Sequence, residues 1–382
     1  MQSFDAIVIG LGAMGSATLC HLAEFGASVL GIEQFRPGHD KGSSHGDSRI
    51  IREQYFEHPL YVPLVQRAYV LWQELEQRSG KRLMTITGGL MIGPPDGMVV
   101  TGTIRSATTY HLPYDVLDST EVSARYPAFH LADGLVAVLD PHCGFLDPET
   151  CNAAHIDAAR RAGAEARFEE GVIEWKPDGA GVRVNTSAGS YFADRLLISA
   201  GAWTSQLLGD LELPLTVERQ VAFWLEPEAS DQYDQSRFPI YAYEFTPGLI
   251  CYGFPKLARG VKVSIMHGGE TANSPQDIRR VVDETEIDAV RAALQPVLPD
   301  LIRAPVRENA VCLFTNTPDH DFIIDFHPEY SQVLVSSPCS GHGFKFASVL
   351  GEIQASLLTG RTPGFDLSPF RIGRFSEATG SG

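Results

Sequence analysis

The stretch IVIGLGAMGSATLCHLAEFGASVLGIE, Ile7 to Glu33, decides the fold. A β-branched run, Ile7-Val8-Ile9, meets Gly10, Gly12 and Gly15, and a helix of small and apolar residues follows. After Gly26 a second apolar run closes on an acid, Glu33. This pattern predicts the strand–turn–helix–strand unit that binds dinucleotides. Gly10 permits the tight turn. Gly12 removes the side chain that would keep a pyrophosphate off the backbone, and Gly15 lets the helix pack closely on the strand. The helix N-terminus offers free N–H groups and a positive dipole end to phosphates. Glu33 lies roughly 20 residues beyond the glycines, where a carboxylate accepts from ribose hydroxyls; it would repel a 2′-phosphate, which favours FAD or NAD over NADP.

The chain has 382 residues, 44% apolar and 20% charged, with a formal net charge of −17. That length suggests about two domains. The negative charge argues against nucleic acid or an anionic membrane surface as a partner. No run approaches the ~18 apolar residues of a membrane span, and Met1 to Asp5 enters the first strand without a basic leader, so a cytoplasmic protein is expected. The cysteines at 20, 143, 151, 251, 312 and 339 lack CxxC spacing and are expected as free thiols. The histidines at 45, 142, 267, 320, 327 and 342 lack ligand spacing, so no metal is expected.

Beyond the first unit, Gly42 to Tyr55 reads GSSHGDSRIIREQY. Small residues, Ser43 and Ser44 among them, lead into His45, Arg49 and Arg52. On a helix Arg49 and Arg52 would share a face. A glycine- and serine-rich approach with two guanidiniums suits a flat polar ring and an anion. Helices are expected over Tyr61–Gln77, Ile104–His111, from Asp118 with Ser119 as a possible cap, Pro148–Ala162 and Thr285–Leu294. Thr87 to Gly93 reads as a strand and Pro127 to Leu139 as a strand pair. A helix, a strand, a β-meander and the apolar strand Arg195–Trp203 return the chain to the first sheet. From Val217 to about Asn309 strands alternate with aromatics (Phe223, Trp224, Tyr241, Tyr243, Phe245, Tyr252, Phe254), and Lys262 stands alone in an apolar strand. A buried lysine is costly unless it is used. The strand Val333–Ser337 ends in Cys339-Ser340-Gly341-His342-Gly343-Phe344-Lys345, which opens a helix to about Leu358. This second glycine-rich turn aims N–H groups at something electron-rich, but no acid follows at nucleotide spacing.

These segments imply an α/β protein. A discontinuous Rossmann-type dinucleotide-binding domain, FAD-binding or NAD-binding (1–85, 146–216 and 310–372), carries a sheet-based α+β substrate domain (86–145 and 217–309) and a flexible tail, 373–382.

With the blocks GLGAMG, GSSHGDSRIIR, CLFTNTPDHDFIID and SGHGFKF assembled, the chain resembles the monomeric sarcosine oxidase family. These are flavin amine oxidases that include N-methyltryptophan oxidase, within the D-amino-acid-oxidase-like fold. The likeness covers nearly the whole chain. It implies that Gly10, Gly12, Gly15 and Glu33 bind the ADP half of FAD and that Val172 meets the adenine side through its backbone. It implies that Ser43, Ser44, His45 and Arg49 lie against the flavin, and that Gly341, Gly343, Phe344 and Lys345 face its pyrimidine edge, where a reduced flavin turns anionic. Arg52 and Lys345 would hold the substrate carboxylate. Cys312 would carry the flavin through an 8α thioether, and Lys262 would sit over the other flavin face and promote reaction with oxygen. Tyr252, in Tyr-Gly-Phe-Pro, matches the family. Phe314 replaces its usual tyrosine, Met266 its usual histidine (His267 comes next), and Cys339 a common apolar or aromatic residue. The missing polar groups imply a somewhat larger or more apolar substrate than sarcosine.

The resemblance thus implies a monomeric FAD-dependent oxidase that acts on a secondary or N-methyl amino acid and O2, with hydrogen peroxide as product. A dehydrogenase passing electrons to another acceptor, or a non-catalytic dinucleotide-binding protein, are the alternatives.

Overall fold

Strand Gln2–Ile9 is buried on both faces from Ala6 to Ile9, as expected of a central parallel strand covered by two layers. Ala6 and Val8 face the helices Ala13–Glu24, Pro148–Arg161 and Ala347–Leu358. Ile7 and Ile9 face the opposite side, with Val182, Val184 and Tyr191. The computed structural model describes residues 1–228 and 230–375. Gln2–Ile9 pairs in parallel with Val29–Ile32 and with Ser190–Ile198. Glu165–Arg167 extends one edge and Val333–Ser337 the other, both in parallel. Ser190–Ile198 serves twice: Ser190 to Ala193 closes the antiparallel meander with Gly181–Thr186, and Leu196 to Ile198 pairs with Val333–Ser337. The meander's third strand and the returning apolar strand are therefore one element.

A second sheet of nine strands takes Gly89–Gly93, Asp115–Leu117, Val136–Asp140, Thr216–Leu225, Ile240–Thr246, Leu249–Leu257, Gly260–Met266, Thr271–Ala272 and Val306–Asn316. Side chains alternate between its faces. Phe223, Leu225, Tyr241, Tyr243, Val261 and Val263 pack into a core with helix Glu286–Leu294. Residues of the other parity point the opposite way and line cavities. The aromatic-rich middle thus divides by parity between core and site.

The structure corrects several expectations. Arg49–Ile51 is a strand, paired antiparallel with Gly144–Leu146, so Arg49 and Arg52 do not share a helix face. Consecutive β-branched residues, Ile50 and Ile51, favour that pairing. Only Val136–Asp140 of the expected pair over 127–139 is a strand; its partners are Asp115–Leu117 and Gly89–Gly93. The expected helix at Ile104 begins at Met98, and the buried carboxylate of Glu244 accepts the Val99 N–H at 3.0 Å. Asp118, rather than Ser119, caps its helix through a reciprocal capping box with Glu121. The boundary at 310 falls inside Val306–Asn316, which pairs along its length with Thr216–Leu225. Cys312 and Phe314 therefore belong to the second sheet. The boundaries at 85 and 145 fall inside Met84–Ile86 and Gly144–Leu146, which share a small three-stranded sheet with Arg49–Ile51. Most of the expected tail, 376–382, lies outside the described residues; before it, Arg374 pairs with Asp319 at 2.7 Å.

Candidate active site

The glycine turn is tighter than a side chain would allow. Gly10 has φ +86°, and a Cβ there would lie 2.6 Å from the Ser199 carbonyl oxygen. A Cβ on Gly15 would lie 1.8 Å from the Gly10 oxygen and 2.7 Å from Ser199 Oγ. Gly15→Ala is therefore expected to cost several kcal/mol of stability, of order 3 or more by the scale of severe overpacking, and to yield protein without flavin; thermal melting with and without added FAD checks this. At Gly12 a Cβ would meet only Ser44 Oγ, at 3.6 Å, so that position stays open to a ligand. The Ala13 N–H donates to Ser44 Oγ at 3.2 Å. Glu33 is buried; its carboxylate accepts from the N–H groups of Leu11 (2.9 Å) and Phe35 (3.1 Å), with His39 Nε2 3.7 Å away. Two donors leave a carboxylate lone pairs to spare.

A cavity of about 660 Å³ runs from this turn. Gly10, Gly12, Glu33, Ser43, Ser44, Arg49, Val172, Gly341, Gly343 and Phe344 all line it. Gly15 packs behind the turn and His45 lines no wall. Gly341 has φ +78°, and the preceding Ser340 has φ +45°. The chain then enters a 3-10 turn, Phe344–Phe346, that runs into helix Ala347–Leu358. A Cβ on Gly343 would lie 1.7 Å from the Pro338 oxygen.

A smaller cavity of about 80 Å³ shares Arg49, Phe314, Gly341 and Phe344 with the first. Its wall is the second face of the nine-stranded sheet: Gln220, Ala222, Ala242, Ile250, Tyr252, Phe254, Lys262, Ser264, Met266, Cys312 and Phe314. Phe56, Arg52, Glu57, His342 and Lys345 close the far end.

Cys312 is ringed by basic side chains. His45 Nε2 lies 3.4 Å from Sγ and Arg49 Nη2 3.7 Å. Burial pushes the thiol up, but the His45 contact and the charges of His45, Arg49 and Lys262 outweigh it and bring it down to about 6. His45, expected against a flavin, contacts the Cys312 sulfur. Arg49 also donates to the carbonyl oxygens of Ser48 (2.7 Å) and Ser43, and Ser43 Oγ donates to the Leu313 carbonyl oxygen.

Lys262 is 3% exposed. Its Nζ donates to the carbonyl oxygens of Gly46 (2.6 Å) and Ser48 (2.9 Å) and lies 5.0 Å from the Phe254 ring centre. Burial, then Arg49, bring its ammonium down to about 7.

At the far end Arg52 is 4% exposed; its Nη2 donates to both carboxylate oxygens of Glu57, which spacing did not single out, and its Nη1 to the Gln54 carbonyl oxygen at 3.3 Å. The rings of Tyr55 and Phe56 stack on it at 4.0 and 3.9 Å. Lys345 Nζ donates to the His342 carbonyl oxygen (2.7 Å) and to Tyr55 Oη (3.4 Å). Burial, then Arg52, bring it down to about 7. Met266 and Phe314 cover Gly341: a Cβ there would lie 2.7 Å from the Phe314 ring and 3.2 Å from Met266 Cε. His267 turns away from both cavities, with Nδ1 3.0 Å from Glu218. Gln220, opposite Cys312 in the ladder, is a further lining residue the sequence did not reveal; its buried Nε2 makes no hydrogen bond among the described residues.

A tight glycine turn beside a buried acid, opening on a cavity that adjoins the pocket of Cys312, Lys262 and Arg52, fits a flavin-dependent oxidoreductase. The family model for FAD dependent oxidoreductases matches residues 5–357. The chain belongs to that family, and within it to the group of monomeric sarcosine oxidase and N-methyl-L-tryptophan oxidase. It is 43% identical over 366 residues to a monomeric sarcosine oxidase of Streptomyces avermitilis, covering 94% of this chain and 95% of the relative. It is 37% identical over 379 residues to an N-methyl-L-tryptophan oxidase of Salmonella agona, covering 98% and 100%. Among solved structures, NikD, described as an unusual amino acid oxidase essential for nikkomycin biosynthesis, superposes with a TM-score of 0.84 at 26% identity, covering 97% of this chain and 98% of that one. The L-proline dehydrogenase of P. horikoshii shares the fold, with a TM-score of 0.85 at 19% identity over 99% of both chains. Among the described residues no helix is long and apolar enough to cross a membrane.

Proposed function

We propose that this protein is an FAD-dependent oxidase of N-methyl or other secondary amino acids that passes its electrons to O2. One observation carries the reading: a single sheet face presents Cys312, Lys262, Tyr252, Met266 and Phe314 to the cavity whose far end holds Arg52 and Lys345. An attachment point, an oxygen-side cation, an apolar amine wall and a carboxylate clamp are then contiguous. The relatives' names, sarcosine oxidase and N-methyl-L-tryptophan oxidase, support the substrate class.

The donor set fits FAD. Gly10, Gly12, Gly15 and Glu33 would hold the ADP half, with Val172 beside the adenine. Ser43, Ser44, Arg49, Gly341, Gly343 and Phe344 would line the flavin, and Cys312 would carry it covalently. Bound FAD supplies a two-electron acceptor for the C–N bond and returns the electrons to O2 as hydrogen peroxide. The chain's own residues do the rest. Arg52 and Lys345 bind the carboxylate, with Arg52 released from Glu57 as a substrate takes its fork. Tyr252, Met266 and Phe314 orient the amine and exclude water. The positive groups that line this cavity, Arg52, Lys345 and Lys262, would disfavour a protonated substrate amine, so the neutral amine is the form bound and no dedicated base is needed. The first sheet and its helices would form the FAD-binding part and the nine-stranded sheet the substrate part. The reading includes a monomer, in keeping with the name of the Streptomyces avermitilis relative, in the cytoplasm, where six free thiols are at home.

The experiment is a peroxide screen of N-methyl and cyclic amino acids against the same amines without their carboxyl group. Turnover of the acids is expected, with kcat/KM lower by roughly 10²–10³-fold for the decarboxylated amines, the size of leaving a buried charge unpaired. Arg52→Gln should raise KM for the acids and leave the amines unaffected. Equal rates for acids and amines would remove the clamp from the reading.

A further inference from the structure

We propose that Glu149 is a positioning residue for Lys262, acting through the loop Gly46–Ser48 that lies between them. Two consecutive left-handed residues, Gly46 (φ +95°) and Asp47 (φ +66°), shape this loop. The Gly46 and Asp47 N–H groups both reach one anion. The anion here is Glu149: its Oε1 accepts from the Gly46 N–H at 2.6 Å, and its Oε2 accepts from the Asp47 N–H at 3.3 Å. The loop's carbonyls face the other way, and Lys262 Nζ donates to Gly46 O (2.6 Å), Ser48 O (2.9 Å) and Ser48 Oγ (3.3 Å). One short loop thus has a carboxylate on its N–H side and an ammonium on its carbonyl side.

The two charges come from a helix and a strand far apart in the chain. Glu149 sits in the first turn of helix Pro148–Arg161, which Asp147 caps by accepting the Thr150 N–H at 2.9 Å. Lys262 sits in strand Gly260–Met266. The loop is where the cofactor side grips the lysine of the substrate side. Asp47 cannot replace Glu149, because its carboxylate pairs with Arg259 at 3.4 Å and Arg259 is stacked on Trp224 at 3.7 Å. A non-glycine residue at φ +66° persists only where its surroundings impose it; Glu149 supplies that imposition. Burial and Arg49 oppose the lysine's charge, while Cys312, Asp47 and Glu149 favour it. Trp224 and Phe254 present ring faces to Nζ at 5.5 and 5.0 Å.

The inference rests on the proposed role of Lys262 in oxygen reduction, but its link to Glu149 can be read without turnover. The holoenzyme contains six lysines, few enough to follow one by one by NMR of 13Cε-lysine, with Lys262 identified by the resonance missing from Lys262→Met. The ammonium form exists below the lysine's pKa and is lost as pH rises through it. In Glu149→Gln, which keeps the shape and loses the charge, the Lys262 titration is expected to move down by roughly one pH unit, the lower end of what an opposite charge contributes. The alkaline fall in the O2 reoxidation rate should move down with it, and reoxidation should slow more than substrate reduction. Gly46→Ala attacks the loop from its own side, since an L side chain rarely adopts φ +95° and its Cβ would stand against Trp224 and Lys262 Nζ, and is expected to shift the same titration. A Lys262 titration unchanged in both variants would overturn the inference. If Lys262→Met itself left oxygen reactivity intact, the role of the lysine would fall, while the titration would still decide the Glu149 link.

Discussion

Replacing Lys262 by methionine is expected to slow reoxidation of the substrate-reduced enzyme by O2 by roughly 10²–10³-fold, the size of removing one preorganised charge-stabilising group. Anaerobic reduction by substrate should stay within a few fold. The asymmetry follows from position. Lys262 is buried, held by backbone carbonyls of the loop Gly46–Ser48, and reaches neither Arg52 nor Lys345 in any hydrogen bond among the described residues. It is therefore placed apart from the carboxylate clamp, and in the proposed reading it would face the flavin. Negative charge develops on oxygen as the first electron arrives, and a cation fixed in a low-dielectric site stabilises it without reorganising. Methionine fills the same apolar slot against Phe254 and Trp224 without the charge. Stopped-flow measurement of the two half-reactions separates the outcomes. Because burial and Arg49 bring the ammonium down to about 7, the wild-type reoxidation rate should fall as pH rises through that value. Equal slowing of both half-reactions would show a structural defect instead.

Cys312→Ala is expected to abolish acid-stable flavin altogether, so that precipitation leaves a white pellet and a yellow supernatant. Of the six cysteines, Cys312 alone is brought down, to about 6; Cys20 is pushed up to about 12 and Cys339 to about 11. The thiolate is the nucleophilic form, and a histidine and an arginine lie within 4 Å of this sulfur. His45→Asn should retain the cysteine but slow attachment, most steeply at low pH, where the thiol regains its proton. Flavin still bound to the pellet in Cys312→Ala would move the attachment elsewhere.

How much of this was legible depended on how local the physics is. The glycine unit could be read because each glycine answers a steric demand within a few residues, and the structure places carbonyl oxygens where their Cβ atoms would be. Lys262 was legible as a lone cation in an apolar strand, and alternation then placed it on the cavity face. The environment of Cys312 was not, since His45 stands 267 residues away and only the paired sheets bring them together. Arg52 was found, but its engagement with Glu57 was hidden by assuming a helix where β-branched Ile50 and Ile51 form a strand. The edge at 310 was hard to place for a related reason: an apolar strand looks the same whichever sheet it joins, and the register with Thr216–Leu225 assigns Val306–Asn316. Gln220 and Glu149 carried no signal of their own; a polar residue in a strand or a helix's first turn ordinarily faces solvent or caps the helix.

The most direct test of an N-methyl amino acid oxidase is a single cuvette. Sarcosine, and then bulkier N-methyl amino acids, are added to the purified yellow protein without air, and air is admitted afterwards. The account predicts that the flavin bleaches on addition of an N-methyl amino acid and that its colour returns in air with one hydrogen peroxide per cycle. Bleaching that persists in air would make the protein a dehydrogenase serving another acceptor, and no bleaching with any secondary amino acid would contradict the account outright.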